Sequence, residues 1–255
     1  MTDSTERPQD DIQLNGVELA ICLRKTSKVL LPVALRDEQR ALWCDEHSSA
    51  LQRMLEAASW APFHKRAHDQ HLTADLDGPM PWRFHVLDPD ACTRLLVFLE
   101  GKAAEQSNSK WSRAWQSKIK EMVSACGVLI QATWLPDPVN PSDDTQKSAP
   151  VGNHSAGAVA EVAFNQKNVE HVAAASSAVQ SLLLSAQSHQ WLSYWSSGGI
   201  LRDEEVFDYM GISRHEQLLG SVFLSPEAHP SARIIDGGLR DQRGELSGWV
   251  HWVQG

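Results

Sequence analysis

Helix-period and strand-period segments alternate along this chain of 255 residues, which predicts a mixed class, α+β or α/β. Three segments carry that reading. Residues 45–60 place Leu51, Met54, Leu55 and Ala58 at helical spacing, and the run stops before Pro62, which disfavours continuation. Residues 128–134 are apolar and rich in Val, Ile and Thr, as a buried strand requires. Residues 168–190 pass from small (173–178) to mostly aliphatic (179–184) with little polar face, so the helix they predict is central.

Taken in order, residues 1–15 are acidic and polar without an apolar run, so they read as a disordered tail and not as a signal or transit peptide. Residues 16–24 predict a short helix through Val17, Leu19, Ala20, Ile21 and Leu23, which delivers a cationic cluster at its exit. Phe84 and Val86 alternate as in a strand over 83–87. The Asp88-Pro89-Asp90 turn then leads into a helix holding Leu95, Leu96 and Phe98. Residues 136–150 are a loop by composition. A helix is expected over 204–210 and a strand over 218–224. No internal repeat or linker divides 16–255, which read as one domain with insertions near 66–80 and 136–167.

Composition narrows the class. The apolar fraction of 42% and charged fraction of 22% are those of a soluble globular protein, and a net charge of -9 argues against nucleic-acid binding. The longest apolar stretches fall short of the ~20 residues of a membrane-spanning helix. Cys22, Cys44, Cys92 and Cys126 form no Cys-x-x-Cys pair, so no zinc knuckle or redox dithiol is indicated and a reducing, cytoplasmic setting is expected.

Arg24, Lys25, Thr26 and Lys28 gather three cations and a hydroxyl into five residues, the donor set a phosphate needs; a solvated polar face is the plain alternative. Downstream stand Trp60-Ala61-Pro62-Phe63-His64-Lys65, then Pro81-Trp82-Arg83-Phe84, then Trp195-Ser196-Ser197-Gly198-Gly199. Trp60 and His64 have a plain reading as a packed helix-end indole and a surface imidazole. Trp195 to Gly199 have one as a glycine-rich turn. His64, His68 and His71 also raise a zinc site by His-x-x-x-His spacing. Pro62 and the lack of a fourth ligand argue against it, so a metal hydrolase ranks last and no metal is expected.

In this order and at these separations the four motifs resemble the nitroreductase family of FMN-dependent oxidoreductases, closest to its compact YdjA-type branch. The resemblance spans about residues 17–228. It implies an α+β fold with a mostly antiparallel central sheet flanked by helices, and an intertwined homodimer with the 168–190 helix in its interface. It further implies FMN bound by Arg24, Lys25, Thr26 and Lys28 at the phosphate, by Trp60 and His64, and by Trp195, Ser196, Ser197 and Gly198 over the ring, with Arg233 closing from the C-terminal side. NAD(P)H is the implied reductant and a nitroaromatic or quinone-like small molecule the implied electron acceptor. His64 is the candidate proton donor, since the hydride chemistry lies on the flavin. Residues 66–80 interrupt the family's pattern, Ser188 to Leu192 replace its glycines with bulk, and Ser196 stands where it has Arg. These departures leave open a flavin-binding protein of the same fold with weak nicotinamide-dependent turnover.

Overall fold

The computed structural model describes residues 15–105, 109–138 and 165–253. The tail before Asn15 and most of the 136–167 insertion lie outside the described residues. Eight helices and six strands follow one another among those described: α1 Gly16–Leu23, β1 Ser27–Leu30, α2 Arg36–Ala41, α3 Asp45–Ser59, β2 Trp82–Leu87, α4 Pro89–Glu105, α5 Lys110–Gln116, α6 Ile119–Ala125, β3 Val128–Trp134, α7 Gln166–Ser188, β4 Leu192–Ser196, α8 Glu204–Met210, β5 Gln217–Ser225 and β6 Arg233–Asp236.

The central sheet has the order β2-β3-β5-β4, and every neighbouring pair is antiparallel. That settles the class as α+β. Strand alternation gives the sheet two buried faces. Val128, Ile130, Ala132, Val222 and Leu224 pack on Val179, Leu182, Leu183 and Ala186 of α7 and on Ala50, Met54 and Ala58 of α3. Leu87, Leu129 and Phe223 point the other way, against Leu95, Leu96 and Leu99 of α4 and Met122 and Val123 of α6.

Local chemistry fixes the helix ends. Asn15 and Glu18 close α1 as a capping box: Asn15 Oδ1 accepts from the Val17 and Glu18 N–H groups at 3.0 Å, and Glu18 Oε2 accepts from the Asn15 N–H at 2.9 Å. The expected 168–190 helix ends earlier, at Ser188. Gln190 adopts φ 63°, and the Trp191 N–H donates back to the Ala186 carbonyl at 2.9 Å, a Schellman-type stop that turns the chain into β4. Trp195 to Gly199, for which a glycine-rich turn is the plain reading, therefore begin within an edge strand.

Among the elements without a counterpart in the sequence analysis, two bear on the site. β1 and β6, four residues each, pair antiparallel across some two hundred residues of chain, with Ser27 opposite Asp236 and Leu30 opposite Arg233. The phosphate-type cluster thus does not trail loosely from a helix: its last residue, Lys28, lies within a strand.

Candidate functional site

The antiparallel register brings the separated motifs to one end of the sheet. Ser196 at the end of β4 faces Ser221 of β5, while Trp82 at the start of β2 faces Trp134 at the end of β3, which faces Gln217 at the start of β5. Ala61 and Phe63, just past α3, pack with Trp82, Trp134, Leu219 and the α7 residues Ala174, Ala175 and Ala178. The Phe63 and Trp82 rings meet edge to face at 5.7 Å, which joins the two half-motifs that the sequence separates.

β1 completes this end. Leu31 packs with Leu192, and Lys28 Nζ lies 4.6 Å from the centroid of the Tyr194 ring, so β1 runs back along β4 and residues 24–26 lie toward the Trp195–Gly198 turn. Arg24 caps α1, and burial lowers its pKa first, with the positive charge of Arg240 adding to the effect. Arg240 itself is anchored, donating to the Arg24 carbonyl at 2.9 Å and to that of Cys22. Arg240 thus brings a second guanidinium group to the exit of α1, where its charge is felt at Arg24 and where a bound anion would relieve the repulsion.

The remaining candidates have different surroundings. Lys25 Nζ pairs with Asp236 Oδ2 at 2.5 Å, and Ser27 Oγ donates to Asp236 Oδ1 at 2.7 Å; the Lys25 bond, then that of Ser27, hold the carboxyl below its usual range. Half of the predicted lysine charge is thereby met within the protein. Thr26 accepts the Gly237 N–H at 2.8 Å through its carbonyl. Arg233 is not brought to Arg24: it sits opposite Leu30, at the other end of the β1–β6 ladder from Asp236. The arginine that meets the Arg24 segment is Arg240, which the chain's return after β6 brings there.

Trp60 and His64 stand in the open. Trp60 is the C-cap of α3 and is 87% exposed, and His64 is exposed as well. A naked indole of this kind is an unfilled contact surface. The insertion between His64 and Pro81 is a tied loop. The Ala67 N–H donates to the Pro79 carbonyl at 2.9 Å, and buried Arg83 gathers the Met80 and Trp82 carbonyls at 2.9 Å, Gly78 at 3.2 Å and Leu76 at 3.3 Å. His71 Nε2 donates to the Pro136 carbonyl at 2.7 Å, and burial lowers its pKa. His68 Nδ1 accepts from Gln70, so these imidazoles have local structural partners. Among the described residues no three His, Cys, Asp or Glu side chains gather around a possible metal.

A polar rung also crosses the sheet: His85 opposite Gln131, Gln131 opposite Ser221, Ser221 opposite Ser196. Ser221 Oγ donates to Gln131 Oε1 at 2.5 Å, and both residues are fully buried. At its far end His85 Nε2 donates to Glu216 Oε2 at 2.7 Å, and Thr133 Oγ1 donates to the same oxygen at 2.5 Å. Burial raises the Glu216 pKa, yet His85, Thr133 and Arg83 together outweigh it and leave the group below its usual value. The folded state then binds fewer protons than the unfolded chain. The stabilisation is present above the unfolded value of about 4.3 and is lost as pH falls through the folded one. Urea midpoints from pH 6 to 3 should fall for the wild type and show a weaker acid slope in Glu216→Gln; parallel slopes would refute this account.

The comparisons follow this architecture. The nitroreductase family model matches residues 48–224, well over half of the chain. The chain belongs to the nitroreductase family and is an oxidoreductase of that family. A nitroreductase-like family protein from Bacillus cereus is 14% identical and superposes with a TM-score of 0.58 over 100% of both chains. A nitroreductase with bound FMN from Bacteroides fragilis NCTC 9343 is 15% identical, covering 94% of this chain and 100% of its own, at a TM-score of 0.55. An FMN and NADPH-dependent nitroreductase from Sphigopyxis sp. strain HMH is 12% identical, covering 94% and 99%, at a TM-score of 0.53. At such identities the likeness is one of fold. No curated protein matches the chain.

Proposed function

We propose that the protein binds FMN at the sheet end just described and passes electrons from NAD(P)H to a nitroaromatic or quinone-like acceptor. The observation that carries this reading is the meeting of the cationic segment with the strand that leads into the Trp195–Gly198 turn: Lys28 Nζ lies over the Tyr194 ring, and Arg240 is anchored on the Arg24 carbonyl. The donor set fits the group: charged forks for a phosphate, a glycine turn that leaves room beside a ring, and the open indole of Trp60. FMN, when bound, supplies hydride acceptance and donation. In this reading the chain's own residues orient and enclose it, and the exposed imidazole of His64 delivers a proton to the acceptor.

The working form in this reading is a homodimer. α1 buries none of its residues: Val17, Leu19, Ile21 and Leu23 are 46–66% exposed, and Trp249 and Trp252 are 66% and 76% exposed. Apolar surface of this extent, next to the proposed site, is suited to a second copy of the chain. Among the described residues no helix is long and apolar enough to cross a membrane, and a cytoplasmic location accords with the unpaired cysteines.

The bulky residues before Trp195 do not crowd this site. Trp191 is buried among Trp43 and His47 on the α3 side, and Leu192 packs with Leu31. A second reading, FMN binding with little NAD(P)H turnover, draws support from Ser196, whose hydroxyl accepts the Gly198 N–H at 3.2 Å and brings no cation to the nicotinamide phosphates. Purified protein is expected to be yellow, to release FMN by mass, and to bleach under NADPH without oxygen. Bands that only dithionite bleaches favour the second reading, and colourless protein that does not take up FMN overturns both.

A further inference from the structure

We propose that Arg202 is a positioning residue that fixes which face of the Ser196–Gly198 turn meets the ligand; this rests on the flavin reading above. Arg202 closes the 3-10 turn Gly199–Arg202 that follows the strand. Its Nη1 donates to the Leu218 carbonyl at 2.7 Å and its Nη2 to the Ser197 carbonyl at 2.5 Å, tying the turn to the start of β5. Among the described residues no carboxylate pairs with it.

The turn needs such a tie. Gly198 and Gly199 both hold positive φ, 97° and 55°, and glycines rotate there at little cost. Gly198 lies so close to β5 that an added Cβ would come within 2.6 Å of Leu218 Cδ2, so no side chain is available to anchor the turn from inside. The peptide joining Ser197 to Gly198 has both polar groups taken: its carbonyl by Arg202 and its N–H by Ser196 Oγ. With that peptide held at both its carbonyl and its N–H, the outer face of the turn, which carries the exposed Ser197, is fixed. Loss of the Arg202 bond would free the Ser197 carbonyl to rotate toward the ligand side.

The test uses full-length Arg202→Met and Arg202→Lys beside the wild type. Arg202→Met is expected to speed amide exchange of residues 197–199 in flavin-free protein. It should also weaken FMN binding about tenfold or more, as loss of a charge-assisted hydrogen bond does, and shift the reduction potential of bound FMN. Arg202→Lys, which keeps the charge on a single point, should restore part of each. A role confined to stability would lower the Tm while leaving potential and local exchange unchanged, and that result overturns the proposal. Wild-type protein that binds no FMN removes the flavin reading and this inference with it. Wild-type binding with unaltered variants removes this inference alone.

Discussion

Replacing Arg36 by Met should destabilise the fold by about 3 kcal/mol or more, because buried carbonyl oxygens would lose their donors together. Arg36 is 3% exposed. Its Nη1 donates to the carbonyls of Cys126 at 2.7 Å and Ser124 at 3.1 Å, with Val123 at 3.4 Å, while Nη2 reaches Pro89 at 2.5 Å and Nε reaches Thr93 Oγ1 at 3.0 Å. These acceptors sit at the C-terminal end of α6 and the start of α4, so one planar cation both caps a helix dipole and fastens two helices to α2. Removing a buried charge recovers some desolvation energy. That gain is limited because Met supplies no donor to the carbonyls left behind. Arg36→Lys should fall between wild type and Arg36→Met, since one ammonium cannot span the set. Urea unfolding of the three proteins is the measurement; Arg36→Met within 1 kcal/mol of wild type would sink the argument.

Arg36 also marks a boundary of what the sequence discloses. Local pattern located α3, α7 and β3: the helical period of α3, the small and aliphatic run of α7 and the unbroken apolar run of β3 are each legible without knowing the partner they pack against. The antiparallel order of the sheet was reachable only through the family resemblance, since strand pairing is a matter of long-range register. β1 and β6 were invisible for the same reason: four-residue strands carry too little pattern, and each is stable only against the other. For the proposed site, local signals nominate Arg24, Trp60, His64 and the Trp195–Gly198 turn, whose residue types announce their chemistry. Arg240 and Arg202 gave no such signal. Their roles come from backbone carbonyls that the fold brings within reach, and a carbonyl has no identity in a sequence. The same holds for Arg83, quoted in the Pro-Trp-Arg-Phe motif for its neighbours yet acting in the structure as the strap of the preceding loop.

Gly220→Ala should separate the sheet end from the rest of the molecule more sharply than any charge change. Gly220 lies in β5 opposite Ala132, beneath the last residues of β4. A Cβ built there would stand 2.6 Å from the Ser196 carbonyl oxygen and inside the Trp195 ring edge. Trp195 could rotate, but the Ser196 oxygen belongs to the ladder and retreats only if β4 leaves β5. The glycine has no positive φ, so backbone strain plays no part and the whole effect is contact. Overpacking of this kind costs about 1–3 kcal/mol, and here it displaces the segment proposed to pass beside the flavin. FMN affinity is therefore expected to fall by about tenfold or more, a change equivalent to roughly 1.4 kcal/mol. Gly211→Ala is the control: Gly211 has φ 68° with nothing within 4 Å of its added Cβ, and it ends α8. It should lose about 1 kcal/mol by strain and keep its FMN affinity. Thermal melts and FMN titrations on both variants decide the matter. Equal losses of affinity would mean that the site responds to global stability, whereas a Gly220→Ala protein that binds FMN like wild type would remove the Trp195–Gly198 turn from the site.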